Sequence, residues 1–390
     1  MIKAGHIEKR GVNSWRLIYS GGRGPDGRRL KYSKTITATS KREAEKELAR
    51  FVAGIEDNQT ITTKKITFRE FILRWFTEYA EKRLAPKTLK DYSEQIEGRL
   101  IPKLGHLRID QITPMHLMKY YNLLRADGVR LDGKTGKLSE KTILKNHMLI
   151  SAILQKAVMW QILPSNPARR VERPHPPKAR AKCFDETQIR TILERAESEP
   201  IKYRVALLIA VMCGMRLGEI LGLEWKDIDF GRRTISIVRT SQYVTGMGTI
   251  TKCPKTENSV RTITIAEMMI EILKQYRCHR DEEKEKVGNL WNETDRLFTQ
   301  WDGKPMYPGS ITHWFKKFLL KINMLVINFH GLRHTSATMM IAQGIHPKTI
   351  SSRLGHSSIS TTMDIYGHSL ESTDRDASKK LDDLFSKKTK

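Results

Sequence analysis

The chain has 390 residues, 39% of them hydrophobic, with 69 Lys and Arg against 43 Asp and Glu and a formal net charge of +26. That apolar content suits ordinary globular cores, while no run of about 18 apolar residues offers a membrane span and the first residues lack a signal-peptide stretch, so a cytoplasmic protein is expected. A polyanion is the simplest partner, because each neutralised phosphate releases a counterion, although ribosomal or membrane-surface binding fits charge alone equally well.

Residues 1–60 predict a small sheet followed by a helix. Trp15, Leu17 and Tyr19 alternate with Arg16 and Ile18, a turn covers 21–27, and a second strand with alternating basic residues covers 29–36. Ser40 and Glu43 have the spacing of a capping box, ahead of an apolar face of Ala44, Leu48, Phe51, Val52 and Ile55. An outward basic face with Arg16, Arg28, Arg29 and Lys31 suits a DNA groove. A solvated basic face explains it equally well. Residues 57–65 form a polar linker.

Residues 66–170 carry helical signals only. Thr67 and Glu70 repeat the capping box, Pro86 opens a helix to about Leu100, Thr113-Pro114 opens another to about Leu124, and Ser139 caps a fourth through Trp160. A glycine-rich basic loop covers 126–137. Residues 171–182, rich in Pro, Arg and Lys, form a linker that no rigid helix can cross at Pro174, Pro176 and Pro177. Its charge suggests that it too runs along DNA.

Residues 183–385 are the largest unit. Asp185 caps a helix, 201–212 is an apolar core helix, and 234–240 and 261–265 alternate as strands. Ala377, Leu381, Leu384 and Phe385 fit a short amphipathic helix. The four cysteines, Cys183, Cys213, Cys253 and Cys278, form no C-x-x-C pair and match no zinc module, so they are expected as reduced structural thiols.

Four segments carry candidate chemistry. In Cys213-Gly214-Met215-Arg216-Leu217-Gly218-Glu219, Gly214 breaks a helix, Arg216 starts the next, and Glu219 is placed to orient its guanidinium. By itself such a pair is usually a surface ion pair. Residues 252–261 look like a hairpin tip bearing Lys252 and Lys255, which is usually only solvated. His330-Gly331-Leu332-Arg333 puts two cationic donors on one helical face. In 353–368, Gly355 suits a helix end, His356 a corner, and Tyr366 the last turn of a helix stopped by Gly367.

Each piece is weak alone. In the order Arg216, Lys255, His330-x-x-Arg333, His356, Tyr366 they resemble the tyrosine recombinase family, the integrases of temperate phages and conjugative transposons. The resemblance covers 183–385. Residues 66–170 look like the family's helical, SAM-like core-binding domain, and 1–60 resemble its arm-binding domain. It implies an α+β fold: a mainly helical catalytic domain with a small antiparallel sheet, after a helical domain and a three-stranded sheet with a helix.

The implied activity is DNA cleavage and rejoining through a 3′-phosphotyrosine at Tyr366, with no ATP, metal or other cofactor. Arg216 and Arg333 clamp the phosphate and His356 adds a hydrogen bond. His330 assists proton transfer, and Lys255 protonates the leaving oxygen, with Lys252 as its rival. Arg261 is expected on DNA. Implied partners are double-stranded attachment-site DNA, a homotetramer joined by the 377–385 helix, and an excisionase or DNA-bending protein; on DNA the chain would be nucleoid-associated. A DNA-binding regulator without chemistry and a type IB topoisomerase remain as alternatives.

Overall fold

The computed structural model describes residues 5–23, 29–57, 66–177, 182–253, 259–356 and 358–366, with Ser378, Asp382 and Phe385 singly. The chain forms two compact units, residues 1–178 and 179–390. In the first, β1 (His6–Lys9), β2 (Ser14–Arg23) and β3 (Arg29–Thr37) pair antiparallel in that order. Trp15, Leu17 and Tyr19 turn inward, and the Trp15 indole donates to the Ala38 carbonyl at 3.1 Å. Arg16 pairs with Thr35 and Ser20 with Lys31. Arg16 and Lys31 therefore stand together on the opposite face, because side chains alternate along a strand. Arg29 lies in β3; Arg28 and the side chain of Arg29 fall outside the described residues.

Helix α1 (Lys41–Asp57) follows. Its cap differs by one residue from the sequence expectation. Ser40 Oγ accepts from the Glu43 amide at 3.3 Å, but Glu43 Oε2 accepts from the amide and hydroxyl of Thr39, at 2.8 and 2.9 Å. The carboxylate reaches the residue before the cap and takes both of its donors.

The rest of this unit is helical: α2 (Phe68–Trp75), α3 (Glu81–Arg83), α4 (Pro86–Gln95), α5 (Ile101–Leu104), α6 (Pro114–Leu124) and α7 (Glu140–Met159). Phe68, Phe71, Trp75, Tyr120, Ile153 and Leu154 form its core. The Thr67–Glu70 capping box is present in both directions, and Thr113 and Ser139 cap as expected. The helix expected to stop near Leu100 instead runs to Leu104, joined by a π turn at Ile96–Leu100. It passes Pro102, which donates no N–H, where the regular ladder is already interrupted.

In the second unit, α8 (Glu186–Ala196) and the apolar α9 (Ile201–Cys213) lead to the short α10 (Leu217–Ile220). β4 (Ile228–Asp229), β5 (Thr234–Ile237), β6 (Thr240–Val244), β7 (Gly248–Lys252) and β8 (Arg261–Thr264) follow. They form two sheets, β4-β5-β8 and β6-β7. The helices α11 (Glu267–Val287), α12 (Pro308–Lys321), α13 (Gly331–Ala342), α14 (Pro347–Leu354) and α15 (Ile359–Tyr366) complete the described fold. Val205, Ile209, Phe298, Phe315 and Leu332 build one core around α9.

Two strand expectations change. The single strand over 234–240 breaks after Ile237, where Arg239 pairs with Glu224 at 3.0 Å and with Asp227. That buried pairing takes precedence over ladder continuity, and the chain enters a second sheet at Thr240. Nor do 252–261 close a hairpin on their own flanks. β7 pairs with β6 and β8 with β5, so the segment connects two sheets. The helix expected at 377–385 lies outside the described residues except for Ser378, Asp382 and Phe385, which are helical. No described helix is long and apolar enough to cross a membrane.

Candidate active site

Two helix ends and two arginines make the site. α9 ends at Gly214, left-handed at φ 61°, where any Cβ would strike the Leu354 side chain. This turn leaves the Gly214 carbonyl to accept from Arg333 Nη1 at 2.7 Å. α14 ends at Gly355, left-handed at φ 66°, and its carbonyl accepts from Arg216 Nη2 at 3.0 Å. Glycine tolerates this conformation without the Cβ penalty.

Arg216 precedes α10 and its side chain is 38% exposed. Its Nη1 donates to Glu219 Oε1 at 2.6 Å and its amide to Glu219 Oε2 at 3.0 Å. Glu219, 3% exposed, thus holds the guanidinium as its sequence spacing suggested. Arg333, from the first turn of α13, is also 3% exposed, and its Nη2 is buried with no hydrogen-bond partner among the described residues. A buried guanidinium with an unused donor suits an oxyanion, since charge-assisted bonds are the strong ones. His330 immediately precedes α13 and is exposed, its ring edge-on to that of His334 at 5.3 Å. His356 follows Gly355, and its Nδ1 lies 2.8 Å from Thr362 Oγ1. That contact ties the corner to α15, the helix that ends at Tyr366.

The electrostatics are those of an anion seat. Burial alone would raise the Glu219 carboxyl, but Arg261 and then Arg216 more than offset this and hold it below its usual value. Burial, then Arg216, pushes Arg333 down to about 9. Desolvation by the packed side of the ring, then His334, Arg333 and Arg216, pushes His330 to about 4. Burial, then Arg333 and Arg216, does the same to His356. Both rings are therefore neutral near pH 7.

A stability consequence follows from these two histidines. An unfolded histidine titrates near 6.5, so between about pH 6.5 and 4 the unfolded chain binds protons that the folded chain does not. Stability is full above about pH 6.5 and falls as pH drops toward 4. Thermal midpoints should fall across that window, and a His330→Gln/His356→Gln variant should flatten part of the fall. Identical profiles for parent and variant would refute the assignment.

Of the sequence candidates, Arg216, His330, Arg333 and His356 come together here. Tyr366 closes α15, but its side chain lies outside the described residues, as does Lys255; Lys252 ends β7. Arg261 joins the same cluster. Its side chain is 7% exposed and donates to Glu219 Oε2 at 2.9 Å, to the Arg353 carbonyl at 2.7 Å and to the Ser259 carbonyl at 3.1 Å. Its guanidinium is bonded within the fold. The sequence reading missed Arg353, which donates to the carbonyls of Thr264 and Met212 at 3.1 and 3.2 Å, and Thr362. Neither has a local signal, since their partners lie on other elements or across a turn.

The phage integrase family profile matches residues 182–373, and the N-terminal SAM-like domain of phage integrases matches 67–125. The chain is 28% identical over 403 residues to a tyrosine recombinase XerC-like protein of Caldanaerobacter subterraneus subsp. tengcongensis, covering 99% of this chain and all of the relative. It is 28% identical over 248 residues to the ICEBs1 integrase of Bacillus subtilis, covering 64% of this chain and 67% of that one. Among solved structures, the Tn1549 transposon integrase in complex with a circular intermediate DNA superposes with a TM-score of 0.65 at 20% identity, over 80% of this chain and 99% of that chain. A lambda integrase dimer bound to a COC′ core site gives 0.54 at 18%, over 92% and 93%. These structures share the fold: a mostly helical chain with small antiparallel sheets. The family match spans every segment that builds the anion seat, and the chain belongs to the phage integrase family, the tyrosine recombinases that break and rejoin DNA at specific sites.

Proposed function

We propose that this chain integrates and excises a mobile element or prophage by forming a 3′-phosphotyrosine at Tyr366. The observation that carries the reading is the buried Arg333 Nη2, without a hydrogen-bond partner among the described residues, beside Arg216, His330 and His356, one helix away from Tyr366. The Tyr366 oxygen attacks the phosphorus of a backbone phosphate and loses its proton, with His330 assisting. The bond to the 5′ oxygen breaks, and Lys255 supplies that oxygen's proton. Arg216 and Arg333 stabilise the extra negative charge on the pentacoordinate phosphorus, and His356 donates a further hydrogen bond. The neutral His356 ring suits this: when Nδ1 accepts from Thr362, Nε2 carries the donor. Attack by the 5′ hydroxyl of a second strand reverses the step without consuming bond energy.

Residues 66–170 are assigned as the core-binding domain, 171–182 as a linker along DNA, 183–385 as the catalytic domain and 1–60 as an arm-binding domain. The outward Arg16 and Lys31 support the last of these. A lambda integrase tetramer bound to a Holliday junction is among the similar structures, which supports a homotetramer on DNA here. An excisionase or DNA-bending accessory protein fits reaction control, and work on cellular DNA fits a cytoplasmic protein.

The test uses a duplex selected by the full chain from a random-sequence library, nicked just downstream of the cleaved phosphate so that the 5′-hydroxyl fragment diffuses away. A covalent adduct should accumulate, and mass spectrometry should place the nucleotide on the peptide containing Tyr366. No adduct would favour a regulator. Adducts on any sequence, with relaxation and no strand exchange, would favour a type IB topoisomerase.

A further inference from the structure

Arg216 has two holders, and both rest on one residue. The first is Glu219: Oε1 takes Arg216 Nη1 at 2.6 Å, and Oε2 is shared between the Arg216 amide and Arg261 Nη2, at 3.0 and 2.9 Å. The second is the Gly355 carbonyl, which takes Arg216 Nη2 at 3.0 Å. That carbonyl sits at a corner held by the same guanidinium. Arg261 Nε donates to the Arg353 carbonyl at 2.7 Å, and a Cβ on Gly355 would stand 2.7 Å from Arg261 Nη1. Thus one side chain from the start of β8 braces α10 and the end of α14 together.

Charge makes the same point. A buried carboxylate paired with one arginine cancels it. Among Arg216, Arg261, Arg333 and Glu219, with the histidines neutral, the net charge is +2, and without Arg261 it is +1. The pentacoordinate phosphorus formed from a phosphodiester and a tyrosinate carries two negative charges.

The geometry points to Arg261 as a positioning residue for strand cleavage, which fixes the Arg216 guanidinium through Glu219 and the Arg353–Gly355 corner and keeps Glu219 from cancelling its charge. The inference rests on Arg216 as a phosphate clamp. It replaces direct DNA contact by Arg261 with action through a second residue.

The experiment uses the full chain and the nicked selected duplex in two versions, with an ordinary phosphate or a neutral methylphosphonate at the cleaved position. Single-turnover rates are measured for the parent, Arg216→Ala, Arg261→Gln and Arg261→Lys. Arg261→Gln should slow phosphate cleavage about 10- to 100-fold, the scale of a misplacement near 1 Å. Its affinity for the duplex should stay within about threefold, since base and phosphate contacts are unchanged. Its defect should shrink on the methylphosphonate, as should that of Arg216→Ala, because clamping matters less without the anionic oxygen. Arg261→Lys keeps the charge but not the fork; it should fall between parent and Arg261→Gln and carries the comparison if the glutamine variant does not fold.

Equal defects on both substrates for the Arg261 variants, with Arg216→Ala still showing the shrinkage, overturn the inference and leave the clamp standing. Weaker binding with a shallower salt dependence also overturns it, since that marks a phosphate contact. Equal defects for Arg216→Ala overturn the clamp itself, and the inference with it.

Discussion

Tyr366→Phe is expected to abolish the covalent DNA adduct while leaving binding of the selected duplex within about threefold, because phosphate and base contacts are made elsewhere. The substitution removes one oxygen from the last residue of α15 and leaves the His356–Thr362 contact, earlier in that helix, untouched. Gel analysis under denaturing conditions reads the adduct, and a filter or mobility assay reads binding. An adduct that persists in Tyr366→Phe removes Tyr366 as the nucleophile; lost binding without a loss of fold means that the tyrosine serves recognition instead.

Arg333→Met is expected to separate stability from activity. Cleavage should fall by about 10²- to 10³-fold, the cost of removing one preorganised donor from a developing charge. The DNA-free protein should nevertheless melt at the same or a higher temperature. Arg333 is 3% exposed, bonded through Nη1 to the Gly214 carbonyl, with Nη2 buried and without a partner among the described residues, and burial depresses its pKa to about 9. Its charge is held at a cost, which a bound phosphate is expected to relieve. Methionine fills similar space without that charge, and each kcal/mol of relief raises the melting temperature by about 2–4 °C for a unit the size of residues 179–390. Calorimetry and single-turnover cleavage decide it. A clear fall in melting temperature would mean that the Gly214 bond outweighs the desolvated charge.

The helices were legible where local chemistry sets them. Thr67, Thr113, Ser139 and Asp185 cap where their spacing said, because a cap needs only residues within one turn. The alternation of Trp15, Leu17 and Tyr19 announced a half-buried strand for the same reason. Strand partners were not legible. The break between β5 and β6 depends on Arg239 meeting Glu224 and Asp227, residues 12 to 15 positions away.

For the site, the sequence by itself determined the residue types and their order. Arg216 with Glu219, His330-x-x-Arg333, and Gly355-His356 ahead of Tyr366 are each set by short-range geometry at a helix end, so spacing exposes them. Only the tertiary structure decided which of them share a charge. Glu219 reads as the partner of Arg216, yet its second oxygen is shared with Arg261, 42 residues on, and the Arg216 guanidinium is closed by a carbonyl 139 residues away. The resemblance leads one to expect Arg261 on DNA, and no local pattern shows its place in this cluster. The fold buries it beside a carboxylate, since a charge removed from water must be paired, and that pairing is set by packing across elements that no local pattern encodes.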